Sequence, residues 1–526
     1  MYIEPSSAPG NGVQRMNTPS EFAAAMQAGY AFSEPAIDLG GAILNGECPP
    51  GATVRIPLRT MNRHGLIAGA TGTGKTKTLQ VIAEQLALNG VPSLLMDIKG
   101  DLSGIAAPGT TNPKIDARQQ KVGIPWQALT LPVEFLSLSK EPGAQLRATT
   151  SEFGPVLLGR ILELNDTQAS VLSLVFKYCD DNGLPLLDIQ DLRSVLQYIG
   201  AEGKEEIRKQ YGQVSPATVS TIMRKLVELE QQGADGFFGE RSFDVQDLLR
   251  QRDGKGVIHV LRLTDIQDRP RLFSTFMLCL LAEVYGTFPE VGDADKPKLV
   301  IFIDEAHLIF DNATKPLLDQ VESIIKLIRS KGVGIHFCTQ DPSDVPESVL
   351  GQLGLKVQHS LRAFTAKDRT TIKKTAQNYP ITPFYDTEQV ITSMGIGEAL
   401  VSALNVKGVP TPLAWTLVRA PGTRMDVLSP QELQTLTQGS ELARKYNERL
   451  DRESASELLA KRVQHHQEQE EPRDPHTPKP ARPAKEEPGV IESISKNTMV
   501  RQLGRTAMRE LARGLLGVLG LKSRRR

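Results

Sequence analysis

The sequence predicts an α/β fold with a mostly parallel central sheet, a helical insertion and a helical C-terminal tail. Two observations carry that expectation. The stretch Gly69-Ala70-Thr71-Gly72-Thr73-Gly74-Lys75-Thr76 stands between an apolar run, Leu66-Ile67-Ala68, and a segment with apolar residues at Leu79, Val81, Ile82, Leu86 and Leu88. That succession reads as strand, glycine-rich turn and helix. Several short runs, among them Pro92 to Asp97 and Lys298 to Ile303, are apolar at nearly every position and lead into acids. Strands buried on both faces of a parallel sheet have this composition.

Composition narrows the class. The chain has 526 residues, of which 40% are hydrophobic and 23% charged, which fits a soluble globular protein with a sizeable core. Lys+Arg and Asp+Glu are both 61, so a wholly basic protein that coats nucleic acid is excluded, while local basic surfaces are not. The four cysteines, Cys48, Cys179, Cys279 and Cys338, are scattered and predict buried small side chains in a reducing compartment. No signal peptide or membrane-length apolar run is evident, so a cytoplasmic location is expected.

In chain order, residues 1–40 are expected to be mostly disordered, with a short helix from Glu21 to Gly29. Residues 41–150 form the first part of the core, beginning with one or two small strands between Ala36 and Pro57. The segment Gly69 to Thr76 fits the phosphate-binding pattern G-x-x-x-x-G-K-[ST], so all eight of its residues are nucleotide-binding candidates. Glycines let successive N–H groups turn inward toward phosphate oxygens, and the helix that follows adds its positive end. Lys75 would reach the β- and γ-phosphates of ATP and the Thr76 hydroxyl would ligate Mg²⁺. Asp97 closes the second strand and is a further nucleotide-site candidate, with Asp101 behind it; the bland alternative for Asp97 is a capped turn.

Residues 151–250 read as a helical insertion, with helices expected at Gly154 to Tyr178, Asp188 to Ile199 and Thr218 to Leu229. The segment around the last, from Ser215 to Gly233, resembles a recognition helix, but Glu228 and Glu230 within it favour packing over a DNA groove. Residues 251–425 complete the core. Asp304 and Glu305 follow the strand Lys298 to Ile303, and this pair suits water-mediated Mg²⁺ binding by Asp304 and activation of the attacking water by Glu305. Gln340 ends the strand from Gly334 and is placed to sense the γ-phosphate. Arg329 ends a helix; it favours the helix dipole there, or serves as an arginine finger for a neighbour. Arg63 precedes the first core strand. Glu398 to Leu404 and Pro412 to Val418 predict a terminal antiparallel hairpin.

Residues 426–464 are expected as a helical extension and 465–490 as a disordered linker. In 491–526, Arg501, Arg505, Arg509 and Arg513 recur every four residues beside Leu511, Leu515 and Leu516, which predicts a basic amphipathic helix. Such a helix suits a partner groove, an anionic membrane surface or phosphates.

Together these motifs resemble the HerA/FtsK branch of P-loop motor ATPases, and in particular the YjgR-type, helicase HerA-like family. The resemblance is carried by Arg63-His64-Gly65-Leu66-Ile67 with the P-loop, by Asp97-Ile98-Lys99-Gly100-Asp101-Leu102-Ser103-Gly104 and by Phe302-Ile303-Asp304-Glu305-Ala306-His307. Ile328-Arg329-Ser330-Lys331-Gly332 and Thr339-Gln340-Asp341-Pro342-Ser343 complete it. It implies a RecA-like core and a homo-oligomer, a hexameric ring, that hydrolyses ATP with Mg²⁺ and moves along double-stranded DNA. It also implies that Gln340 is the sensor and that Arg63 and Arg329 face a nucleotide, at least one of them across a subunit boundary. Two features of relatives are not expected: the N-terminal β-barrel, for which the segment before Arg63 is short, and transmembrane helices. A second function is compatible with the residues, a nucleotide-dependent assembly switch that acts on a protein partner through the C-terminal tail.

Overall fold

The computed structural model describes residues 18–470 except 140, 266–268, 293, 311–314, 449 and 451. The tail at 491–526, and with it the expected basic helix, lies outside the described residues.

The strands are β1 (Ala36–Ala42), β2 (Thr53–Pro57), β3 (Gly65–Ala68), β4 (Ser93–Asp97), β5 (Val133–Ser137), β6 (Ala144–Gln145) and β7 (Gln251–Arg252). They continue with β8 (Lys255–Gly256), β9 (Ile258–Arg262), β10 (Leu299–Ile303), β11 (Val333–Thr339), β12 (Leu355–His359), β13 (Glu398–Ser402) and β14 (Ala414–Val418). All but the small β7–β8 pair join one sheet in the order β2-β1-β14-β13-β12-β3-β11-β10-β4-β9-β5-β6. From β12 to β6 every pairing is parallel. At the other end, β13, β14, β1 and β2 pair antiparallel. The sheet is therefore mostly parallel, as the sequence predicts, and the terminal hairpin is its continuation. The two N-terminal strands, expected as one or two small strands at the start of the core, complete the antiparallel end.

Alternation explains why the parallel strands are apolar throughout. In β10, Leu299, Ile301 and Ile303 pack on one face of the sheet, while Val300 and Phe302 pack on the other. The helical insertion and the helix Pro270–Thr287 cover the first face. The helix Pro19–Tyr30 and the P-loop helix Lys75–Leu88 cover the second.

The insertion is built from helices Thr150–Ile161, Asp166–Asn182, Ile189–Gly200, Lys204–Gln210 and Pro216–Gln231. The periodic stretch from Gly154 to Tyr178 predicts one helix, and the structure has two. Asn165 supplies a capping box with Gln168, which satisfies the free N–H groups of a new helix start. The helix resembling a DNA reader is packed: Val219, Ile222, Leu226 and Leu229 are buried, and Glu230 accepts a hydrogen bond from Arg193 at 2.8 Å. The helix Ala455–Glu470 returns to this layer, where the Ser456 N–H donates to Asp191 at 3.0 Å and the Ala455 N–H to the Pro185 carbonyl at 3.0 Å. It occupies the first residues of the stretch expected as linker.

A strap that follows β14 crosses the P-loop helix. Buried Glu84 accepts from the N–H groups of Gly422 at 2.9 Å and Thr423 at 2.8 Å and from the Thr423 hydroxyl. Lys77 donates to the Met425 carbonyl at 2.5 Å, and Gln80 to the Arg424 carbonyl at 2.9 Å.

Candidate functional site

Strands β12, β3, β11, β10 and β4 are neighbours in that order and run parallel, so the loops that follow them emerge at one edge. The P-loop follows β3, Gln340 follows β11, Asp304 and Glu305 follow β10, and Asp97 ends β4. Elements far apart in sequence thereby deliver their polar residues to one crevice at the carboxyl ends of strands, where ligands bind in open α/β sheets.

The P-loop is fixed on both sides. The Gly69 N–H donates to the Thr339 carbonyl at 3.2 Å, and the Ala70 N–H to the Ser360 carbonyl at 2.8 Å. Gly69 and Gly74 have φ of 151° and 112°, in the region that favours glycine. A Cβ on Gly69 would also stand 2.5 Å from the Cβ of His359. The helix Lys75–Leu88 begins with Gly74 as cap and has no side-chain capping bond, so its first N–H groups have no side-chain acceptor. Such an end is a built anion site. Lys75 is buried, and its ammonium donates to the carbonyls of Gly69 at 2.6 Å and Ala70 at 3.2 Å. Burial and then the nearby Lys99 lower its pKa, so an anion here is favoured electrostatically.

The remaining polar groups form a chain across the crevice. Thr71 donates to Gln340 at 3.1 Å, and the Gln340 amide reaches both oxygens of Glu305 at 3.5 Å. Glu305 also meets Lys99, and His307 at 3.2 Å. Its φ of 48° turns the carboxylate away from the line of β10, so consecutive acids point differently. Asp304 is buried, and desolvation followed by the charge of Glu305 pushes its pKa up to about 6. A group that resists ionisation in this way is one that a cation would stabilise.

Asp97 and Asp101 exchange the emphasis the sequence gives them. The Asp97 carboxylate accepts from the N–H groups of Gly100 at 2.8 Å, Asp101 at 3.1 Å and Leu102 at 3.3 Å, so it organises the turn. Burial and then Asp101 raise it to about 7. Asp101 accepts from the Thr76 hydroxyl at 3.1 Å, and its second oxygen is buried without a partner. Thr76, Asp101 and Asp304 are oxygen donors, which suits Mg²⁺, an ion that keeps waters and phosphate oxygens among its ligands. Among the described residues no group of three or more His, Cys, Asp and Glu could hold a metal by itself. The two contacts that sequence reasoning missed are Lys99 and His307 on Glu305. Both lie inside the motifs, but only the sheet order brings β4's loop beside that of β10.

Arg63 and Arg329 lie elsewhere. They precede β3 and β11, at the opposite edge of the sheet. The length of β3 alone, roughly 13 Å, separates them from the P-loop. They line one cleft of about 310 Å³ together with Arg59, Asn62 and Lys326.

No helix among the described residues is long and apolar enough to cross a membrane. The DNA double-strand break repair helicase HerA of Sulfolobus acidocaldarius is 21% identical over 365 residues, 68% of this chain and 66% of that protein. The protein of the same name from Saccharolobus solfataricus is 22% identical over 361 residues, 67% of this chain and 64% of that one. The chain thus spans slightly less than two thirds of the length of these relatives. A plasmid coupling protein, TrwB, solved with the non-hydrolysable GTP analogue GDPNP, shares the fold with a TM-score of 0.50 at 13% identity, over 79% of this chain and 96% of that one. The model of the helicase HerA-like C-terminal family matches residues 43–525, nearly the whole length, and with the crevice described above it places this chain in that family.

Proposed function

We propose that this protein is an ATPase that assembles as a homo-oligomeric ring and moves or remodels double-stranded DNA. The observation that carries the proposal is the convergence of the P-loop, Asp304, Glu305 and Gln340 at one sheet edge while Arg63 and Arg329 face the other. In this proposal, Lys75 leaves the carbonyls of Gly69 and Ala70 and pairs with the terminal phosphates of ATP, which the N–H groups of Gly69 to Thr76 surround. Thr76 and Asp304 hold Mg²⁺, with Asp101 beside them, and the ion neutralises phosphate charge when bound. Glu305 takes a proton from the attacking water. Gln340, bonded to both Thr71 and Glu305, links the state of the γ-phosphate to the base. Arg63 and Arg329 are too far from their own chain's P-loop to serve it, which supports action on the nucleotide of an adjacent subunit.

An arginine supplied in trans has a specific consequence. Arg329→Ala and Glu305→Gln are each expected to lower turnover about 10²-fold or more. In an equal mixture of the two variants, about a quarter of the interfaces in a randomly assembled ring pair a wild-type Glu305 with a wild-type Arg329. Recovery of a comparable fraction of wild-type turnover is expected on mixing. Failure to recover any activity in mixed, assembled particles would sink the trans assignment. Duplex DNA is expected to raise the ATPase rate of the full chain, and its end-to-end movement is expected in a triplex displacement assay. An assembled ATPase indifferent to DNA, with turnover altered by deletion of 491–526, would point instead to a switch acting on a protein.

A further inference from the structure

The helix Ala366–Gln377 follows β12, the strand on the far side of the P-loop strand from Gln340. It carries exposed Lys367, Arg369, Lys373 and Lys374, and Arg362 is exposed in the loop before it. At 100° per residue, Arg369 and Lys373 form one row and Lys367 and Lys374 another, separated by Ala366, Thr370 and Gln377. The helix's single acid, Asp368, is turned to its own N-terminus, where it accepts from the N–H groups of Phe364 at 2.9 Å and Thr365 at 2.8 Å. None of the five cations forms an ion pair among the described residues. The opposite side of the helix is seated by Ile372 on a core that includes Leu361, Val390 and Ile391. In the loop just before the helix, Phe364 is 79% exposed.

We propose that this face is a contact surface for the phosphate backbones of duplex DNA, the helix lying along the major groove. The proposal rests on the DNA-handling function above and adds the residues that make the contact. A major groove about 12 Å wide admits an α-helix. Two cationic rows on the flanks of one helix face the two bordering phosphate backbones, and the neutral strip between them meets the base edges without strong sequence preference. An acidic protein partner is less well matched, because it gives no reason for two separated rows around a neutral strip. Phe364 adds apolar contact at the N-terminal end.

The face is wired to the nucleotide crevice. Ser360, two residues before Arg362, accepts the P-loop's Ala70 N–H at 2.8 Å. His359 bonds Thr78 of the P-loop helix at 2.9 Å. A load on this face therefore acts on the phosphate loop through the end of a single strand.

The test uses the full chain with a non-hydrolysable ATP analogue and a fluorescent 30-base-pair duplex, with affinity measured by anisotropy across a salt series. Replacing Lys367, Arg369, Lys373 and Lys374 together by Gln is expected to make the slope of log K against log salt shallower by about 3 to 4. Binding of a fluorescent ATP analogue and particle mass are expected to match wild type. Phe364→Ala is expected to weaken binding at every salt concentration with the slope unchanged. An unchanged slope in the fourfold variant overturns the proposal. Smaller particles from that variant also overturn it, because the face would then be a subunit contact. A wild-type chain that binds no duplex removes the DNA function itself, an outcome read from the unmutated protein alone.

Discussion

Lys75 folds back on the loop to which it belongs, donating to two of its carbonyls, and its pKa is lowered by burial. An anion that replaces those carbonyls gains a desolvated cation, so Lys75→Ala is expected to weaken ATP binding by about 10²-fold, from the loss of a charge-assisted bond worth roughly 3 kcal/mol. Titration with a fluorescent ATP analogue checks this, and near-native affinity would contradict it. Glu305→Gln is expected to retain ATP binding with turnover lowered as stated above, because an amide keeps the shape but cannot accept the proton. The sequence motif names Lys75, Thr76, Asp304 and Glu305, because these types at this spacing serve phosphate and Mg²⁺ chemistry. It cannot apportion Asp97 and Asp101. Which of two nearby acids caps a turn and which meets Thr76 depends on where the turn's N–H groups point.

At the scale of elements, the strap after β14 holds the P-loop helix through a buried carboxylate. Desolvation raises the pKa of Glu84, and its bonds with Thr423 and Gly422 oppose the rise. Glu84→Ala leaves two N–H groups and a hydroxyl without their acceptor, at a cost of about 3 kcal/mol or more. Urea unfolding is expected to show that loss, and a change under about 1 kcal/mol would mean that water substitutes for the carboxylate. Gly104→Ala is expected to disturb the same strap, because its Cβ would lie 1.9 Å from the Asp426 carbonyl oxygen. The helices and central strands were legible from apolar period and capping residues. The split at Asn165, the two-residue β6 and the strap were not. β6 and the strap are set by partners distant in sequence, which a local pattern does not contain, while the split rests on a local capping box at Asn165 and Gln168 that the continuous apolar period masks.

At the scale of the molecule, four histidines among the described residues are buried with lowered pKa values: His64, to about 3, and His259, His336 and His359, each to about 4. Burial is the first cause in every case, and His64 also feels His336. A lowered histidine stabilises the fold above pH 6.5, and that stability is lost as pH falls toward the folded value, because only the unfolded chain takes up the proton. Asp97 and Glu283, each raised to about 7, and Asp304, raised to about 6, act in the opposite direction, favouring the fold as pH falls through those values. The two sets offset each other in the wild type, so the histidine contribution is visible by difference. His259→Gln is expected to gain about 2 kcal/mol relative to wild type between pH 7.5 and pH 5, measured by urea unfolding at each pH. An unchanged difference would mean that His259 takes up its proton as readily in the fold as in the unfolded chain.

The sequence alone determined that this chain builds a parallel, doubly covered sheet around a P-loop with an acid pair and a glutamine, because strand burial and phosphate chemistry each leave a local signature. Only the tertiary structure decided that β11 lies between β3 and β10, which brings Gln340 between Thr71 and Glu305. It also decided that Arg63 and Arg329 share a cleft at the far edge. Strand order is fixed by how the whole sheet closes its two cores, and no short stretch of sequence records that competition.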